Sequence, residues 1–81
     1  MSRSILDVRG LKCPLPIVKA KKAIDELAPG DLLEVVATDP GSTLDFQGWA
    51  RTSKTASLRE QRTEVDDAQR TVYVHVLERK V

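Results

Sequence analysis

The sequence predicts an α/β two-layer sandwich, in which two helices cover one face of a four-stranded mixed sheet in the order βαβαββ. Strand-like segments carry alternating or β-branched apolar residues, and two segments between them have apolar residues at helical spacing. Short turns rich in proline, glycine and aspartate separate these segments. A helical connection between parallel strands is right-handed, so both helices can lie on one face and leave the other to water. With 81 residues, we expect a single domain, 1–81.

The first half of the chain predicts a strand, a helix and a second strand. Residues 4–8 alternate, with Leu6 and Val8 on one face. A helix is predicted from 14 to about 28, and 32–38 reads as a central strand. The predicted apolar side of the helix consists of Ile17, Ala20, Ala23, Ile24, Leu27 and Ala28.

The second half predicts a helix followed by a hairpin. Ser42 and Asp45 have the spacing of a capping box, which places the helix near 43–52. Strands are predicted at 57–65 and 70–79, joined by a turn at 66–69. The buried side of the helix predicted near 43–52 is expected to consist of Phe46, Trp49, Ala50 and Ser53. The last strand is expected to point Val72, Val74 and Val76 inward, and Tyr73, His75 and Leu77 outward.

Charge and cysteine content narrow the function classes. The net charge is +1, which lacks the basic excess usual in nucleic-acid-binding proteins. Residues 1–30 carry six Lys/Arg against three Asp/Glu, so the basic end is also the end that holds the cysteine. One cysteine excludes a disulfide within the chain and a thiolate metal cage. Without an apolar leader or a membrane-length segment, we expect a cytoplasmic protein that does not enter membranes.

The candidate reactive group is Cys13, which stands before a helix with two prolines in its first turn. Proline is favoured at the first helical position, so Pro14 is expected at N1 and Cys13 at the N-cap. Pro16 then falls at N3, which leaves the amides of Leu15 and Ile17 to face the sulfur. These amides and the helix dipole predict a lowered thiol pKa. The alternative is an inert, buried cysteine, but Gly10 and Lys12 upstream favour an exposed turn.

Charged residues near the cysteine are expected to support it. Arg9, Lys12 and Lys19 would stabilise an anionic sulfur, while Asp7 would hold the loop through backbone N–H groups. We expect His75 to be a plain surface histidine, and a Cys–His dyad is disfavoured.

A candidate docking patch lies beside the cysteine. Leu15 and Val18 fall outside the apolar stripe of the first helix, one turn apart and facing solvent. Lys19 and Lys22, together with Lys21, could steer acidic partner surfaces, although a solvated helix face would look the same.

The chain resembles the small TusA-like (SirA/YedF-type) sulfur-carrier family. The resemblance rests on Leu-Asp-x-Arg-Gly-Leu-x-Cys-Pro-x-Pro at 6–16, Pro-Gly-Asp at 29–31, and Asp-Pro-Gly at 39–41 before a helix with Trp49. It implies a carrier that takes sulfane sulfur as a persulfide on Cys13 from a cysteine desulfurase or rhodanese and passes it to an acceptor protein. Its implied destinations include tRNA thiolation, molybdenum cofactor assembly and sulfur metabolism.

A carrier fits the residues better than a turnover enzyme, because no base, metal site or substrate motif accompanies the cysteine. We expect a monomer with no cofactor beyond the transient persulfide sulfur, and no direct nucleic-acid binding. Two alternatives stay open: a small RNA-binding or regulatory interaction module, and a thiol sensor, which would lack a resolving cysteine.

Overall fold

A computed structural model describes residues 3–81 of the chain and shows the predicted order of elements, βαβαββ. The strands and helices are β1 (Arg3–Val8), α1 (Leu15–Asp25), β2 (Leu32–Ala37), α2 (Ser42–Thr52), β3 (Ala56–Val65) and β4 (Thr71–Arg79).

The four strands form one mixed sheet in the order β1-β2-β4-β3. The strands β1 and β2 are parallel, whereas β4 runs antiparallel to both of its neighbours. Because β1 and β2 are parallel and adjacent, the loops that follow them leave the sheet at the same edge. This edge holds Cys13.

The main core lies between the sheet and the helices. Pro16, Ala20 and Ile24 recur every four residues along α1 and are buried, as an apolar stripe at helical spacing requires. Phe46 of α2 is fully buried, and Trp49 is half-buried and meets its ring edge-on, with centroids 6.1 Å apart. Other members of this core include Val8, Leu33, Val35, Ala37, Ala56 and Leu77.

The helix α1 is shorter than predicted. It ends at Asp25, and Ala28 is exposed rather than part of the apolar side. The N–H of Ala28 donates to the carboxylate of Asp31 at 3.1 Å, and Asp31 N–H donates to the Ala28 carbonyl at 3.0 Å. These bonds form a compact turn around Pro29 and Gly30. The helix thus ends at Asp25, four residues before Pro29.

The predicted facing of β4 is wrong. His75 pairs with Val35 and Leu77 pairs with Leu33, and both partners belong to the core under the helices. Residues directly opposite in a sheet share a face, so the odd-numbered residues of β4 point toward the helices. The even-numbered valines, Val72, Val74 and Val76, form a second cluster on the helix-free face, with Leu32 and Val36.

Charged side chains cover much of this second cluster. Arg62 of β3 forms ion pairs with Glu60 at 2.7 Å, with Glu34 at 3.5 Å, and with Glu64. Glu34 also pairs with Arg3 at 2.6 Å. Exposed ion pairs contribute little individually, but the aliphatic stem of arginine can shield apolar surface. The valines are therefore buried, at 2–4% exposure, without a helix above them.

The predicted capping box at the start of α2 is also wrong. Gly41 is the N-cap, and no side chain caps the helix. Ser42 instead is the first residue of the helix and is buried, with its hydroxyl turned toward the sheet. Its partner there is the imidazole of His75, at 2.9 Å.

The facing of β4 can be tested by truncating Leu77. Leu77→Ala should lower the free energy of unfolding by about 2–5 kcal/mol, because the side chain is fully buried beneath the helices. Val65→Ala is the matched control, since Val65 is 69% exposed on β3 and its truncation should cost no more than about 0.5 kcal/mol. Urea unfolding measures both. Equal, small losses would restore the outward assignment of Leu77.

Candidate functional site

Two loops meet at the edge of the sheet where β1 and β2 end. Gly10 N–H donates to the hydroxyl of Thr38 at 2.8 Å, and Cys13 N–H donates to the carboxylate of Asp39 at 3.0 Å. Leu11 N–H closes a turn onto the Val8 carbonyl at 3.2 Å. Gly10 has φ +83°, a left-handed conformation that favours glycine. The loop after β1 is thus fastened to the loop after β2.

Cys13 is exposed in a shallow groove between these loops. The prediction of an accessible thiol is confirmed, and the alternative of a buried cysteine is excluded. The groove is lined by Gly10, Leu11, Lys12, Cys13, Thr38, Asp39 and Pro40.

The helix start differs from the prediction. Pro14 is the N-cap, Pro16 stands at the second helical position, and Cys13 precedes the cap. The reason is that Leu15 N–H already donates to the Lys12 carbonyl at 2.9 Å, so the first helical bond runs from Val18 N–H to Pro14 at 3.0 Å. The amide of Leu15 therefore does not face the sulfur. The Cys13–Pro14 peptide bond is cis.

The surroundings of the thiol are acidic, so the predicted lowered pKa is wrong. A hydrogen bond with the Asp45 carboxylate, together with partial desolvation and the negative charges of Asp45 and Asp39, raises the pKa of Cys13. Asp39 itself accepts N–H groups from Cys13 and Gly41, both at 3.0 Å. These bonds, with the positive charge of Lys12, hold the pKa of Asp39 below its usual value, so it is ionised at neutral pH.

Arg9 is committed to other carboxylates and does not stabilise the sulfur as predicted. Its guanidinium donates to Asp7 twice at 2.9 Å and to Asp66 of the β3–β4 turn at 3.2 Å. The Arg9 side chain and its backbone N–H, which donates at 3.0 Å, lower the pKa of Asp7. Asp7 is predicted to hold the loop through backbone N–H groups, and the carboxylate accepts one of them, that of Arg9.

The lysines of α1 lie away from the groove of the cysteine. Lys19 and Lys22 line a separate groove with Leu6, on the side of α1 that faces β1. Lys19 therefore lies in a different groove from the sulfur that it is predicted to support, whereas Lys12 lines the same groove as Cys13.

The apolar patch beside the cysteine is present. Leu15 is 47% exposed and Val18 is 55% exposed. Val18 and Ile17 also border a groove between the two helices, which includes Trp49 and Lys21. Pro16, in contrast, is a buried residue of α1.

The prediction of a surface histidine is wrong. His75 is fully buried, and burial lowers its pKa to about 4. Both ring nitrogens are engaged, with Ser42 at 2.9 Å and Gln61 at 3.1 Å, so no Cys–His dyad forms.

Sequence reasoning missed the carboxylates of Asp39 and Asp45 as neighbours of the thiol. A signal for Asp39 was available, because a turn that follows one parallel strand lies beside the loop that follows its neighbour. The sequence predicts a capping role for Asp45, which it does not perform.

Within residues 3–81, neither helix is long and apolar enough to cross a bilayer. The same residues contain no group of three His, Cys, Asp or Glu side chains placed to hold a metal ion.

The raised thiol pKa can be tested by alkylation. Asp45→Asn should shift the pH midpoint of Cys13 alkylation to a lower value and speed the reaction at neutral pH, because it removes the charge that opposes the thiolate. Glu26→Gln, which removes an exposed charge at the far end of α1, should leave the profile unchanged. If Asp45→Asn also leaves it unchanged, the carboxylate does not govern the thiol.

These features define a class: a small βαβαββ domain that presents one exposed thiol on a loop fastened to the sheet edge. The chain belongs to the family described as "Sulfurtransferase TusA", whose match covers residues 4–76.

Similar proteins are named as sulfur carriers. A putative sulfur carrier protein of Halobacterium salinarum is 51% identical over 70 residues, which cover 86% of this chain and 80% of the relative. The sulfur carrier protein TusA of Allochromatium vinosum is 52% identical over 46 residues, which cover 57% of this chain and 60% of the relative. The names of these relatives support a sulfur-carrier role.

The fold is shared with a solved structure, a SirA-like protein from Desulfitobacterium hafniense. The two superpose with a TM-score of 0.66 over 91% of this chain and 95% of the other, at 24% identity. This likeness confirms the predicted two-layer fold.

Proposed function

We propose that the chain carries sulfane sulfur as a persulfide on Cys13, taken from a cysteine desulfurase or rhodanese-type donor and delivered to an acceptor protein. The observation that carries this proposal is the placement of the sole cysteine, exposed on a loop held by the Thr38 and Asp39 side chains. A carrier needs a thiol that two different proteins can reach in turn. Membership of the TusA family supports the same role.

The transfer needs no outside oxidant. The Cys13 sulfur attacks the terminal sulfur of the donor persulfide, the donor S–S bond breaks, and the donor leaves as a thiol. In the second step an acceptor thiol attacks the terminal sulfur on Cys13, and Cys13 returns as a thiol. Each step conserves the number of S–S bonds and of protons.

The acidic groove affects when this chemistry occurs. The thiolate is the nucleophile, and Asp45 and Asp39 keep the resting thiol protonated. The proton must leave as the donor persulfide approaches, and Asp45 is the hydrogen-bonding group beside it. A weakly ionised thiol reacts slowly with small oxidants, which suits a carrier that should react only within a protein complex.

Sulfur loading is the direct test of the proposal. After incubation with a cysteine desulfurase and cysteine, or with a rhodanese and thiosulfate, the intact chain should gain the mass of one sulfur atom. Reduction should remove it, and Cys13→Ser should gain nothing. A wild-type chain that stays unmodified with both donor systems would refute the proposal.

We further propose that donor and acceptor proteins dock on the surface formed by Leu15, Val18, Lys19 and Lys22. Leu15 and Val18 provide exposed apolar area next to Cys13, and the lysines provide positive charge further along α1. Apolar contact gives affinity, and charge gives faster association with acidic surfaces.

The docking surface predicts a selective defect. Val18→Asp should slow sulfur loading by the donor at limiting concentration at least about tenfold, equivalent to about 1.4 kcal/mol. Ile5→Asp is the matched control, because Ile5 is 71% exposed on the edge strand β1, and it should load at the wild-type rate. Equal rates in both variants would place docking elsewhere.

The structure weighs against an RNA-binding module. Stacking modules use aromatic side chains on an open sheet face. Here Tyr73 shares the helix side of the sheet with Ala37, and the open face carries the ion pairs of Arg62.

A further inference from the structure

His75 is the buried titratable group that sulfur transfer does not use. Its ring stacks on Phe46, with centroids 4.6 Å apart and an interplanar angle of 22°. The amide nitrogen of Gln61 lies 3.1 Å from Nδ1 and also donates to the Thr43 carbonyl at 2.9 Å. A carbonyl can only accept, so this orientation of the amide is fixed and Nδ1 is the acceptor. The ring proton therefore sits on Nε2, which donates to Ser42 Oγ at 2.9 Å.

From Ser42 the hydrogen bonds continue to the cysteine. Ser42 N–H donates to the backbone carbonyl of Asp39 at 3.0 Å. The Asp39 carboxylate accepts Gly41 N–H with one oxygen and Cys13 N–H with the other, both at 3.0 Å. An unbroken series of bonds thus runs from the middle of β4, through the first residue of α2, to the backbone of the sulfur-carrying residue.

We propose that His75 is a positioning residue for Cys13, which acts through Ser42 to fix the turn whose Asp39 side chain holds the cysteine backbone. The relevance of this role to sulfur transfer rests on the proposed function. The hydrogen-bonded connection between His75 and Cys13 does not depend on it.

The start of α2, next to the turn at 39–41, is tied to the sheet by two hydrogen bonds, one between Ser42 and His75 and one from Gln61 to the Thr43 carbonyl. Ser42 is the buried residue at this end of α2, and the next buried residue of the helix is Phe46, one turn further on. The hydroxyl of Ser42 binds His75 of β4 directly after the turn, whereas the bond at Thr43 comes from Gln61 of β3. Because the pKa of His75 is about 4, the ring stays neutral near pH 7 and the tie is kept.

The charged groups that face the thiol depend on this turn. Asp39 lies in the turn and Asp45 lies one helical turn after Gly41, whereas Lys12 comes from the cysteine loop itself. If the tie through Ser42 is lost, the two carboxylates are held less firmly against Cys13. The thiol should then ionise at lower pH.

Alkylation of Cys13 against pH tests the proposal, with no sulfur donor present. His75→Phe keeps the stacking on Phe46 but loses the bond to Ser42, and Ser42→Ala loses the same bond from the other side. Both should shift the alkylation profile to lower pH by about half a unit, which is about a threefold faster reaction at neutral pH. His75→Gln, whose amide nitrogen can replace Nε2 as the donor to Ser42, should keep the wild-type profile.

Val74→Ala is the matched control for lost stability. Val74 neighbours His75 on β4 but is buried on the opposite face, so its truncation destabilises the sheet without touching the series of bonds. The proposal is overturned if Val74→Ala shifts the profile as far as His75→Phe, if Ser42→Ala leaves it unchanged, or if His75→Gln behaves like His75→Phe. Should His75→Phe not fold, Ser42→Ala carries the test alone. Failure of sulfur loading in the wild-type chain would refute the proposed function. It would not affect the alkylation profiles, which test the positioning role of His75 separately.

Discussion

The site depends on one carboxylate, that of Asp39, which accepts the N–H of Cys13 with one oxygen and the N–H of Gly41 with the other. This side chain joins the loop after β1 to the loop after β2. Parallel pairing of the two strands brings the loops to one edge, and the bonds from Asp39 and Thr38 turn that proximity into a fixed geometry. The chain thus presents a thiol on backbone that is held from below, although the thiol itself lies open to solvent.

The electrostatic setting is the reverse of the one usual for a highly reactive cysteine. Reactive cysteines generally lie in electropositive surroundings, where the thiolate is stabilised. In this chain, Arg9 is committed to Asp7 and Asp66, and the charged groups that raise the pKa of Cys13 are Asp45 and Asp39. We interpret this arrangement as protection of a resting thiol, whose activation belongs to the complex with a partner.

Much of the fold could be predicted from sequence, because the strong patterns were local. The apolar side of α1 follows from side-chain spacing, and apart from Ala28 its predicted residues belong to the core or pack against it. The turn at 66–69 follows from turn chemistry and is present. The exposure of Cys13 followed from its turn-like context. The face assignment of β4 failed because both faces of this strand are apolar, with valines on one side and Leu77 on the other. Alternation fixes which residues share a face and leaves open which face meets the helices.

The electrostatics of the site could not be predicted from local sequence. The pKa of Cys13 is governed by Asp45, which is 32 positions away in the chain, and the environment of His75 by Ser42 and Gln61 on two other elements. The prediction placed Arg9 at the sulfur, whereas its guanidinium pairs with Asp7 two residues away and with the distant Asp66. The start of α1 shifted for a related reason, since the Lys12 carbonyl captured the Leu15 amide before the helix began.

The measurement that tests the central claim most directly is an NMR pH titration of the backbone amide of Cys13. If the carboxylate of Asp39 holds this amide, its proton resonance should follow the ionisation of Asp39, with a midpoint below the ordinary aspartate value of 3.8. An amide resonance that does not respond to this titration, or that responds with a midpoint at or above 3.8, would contradict the account.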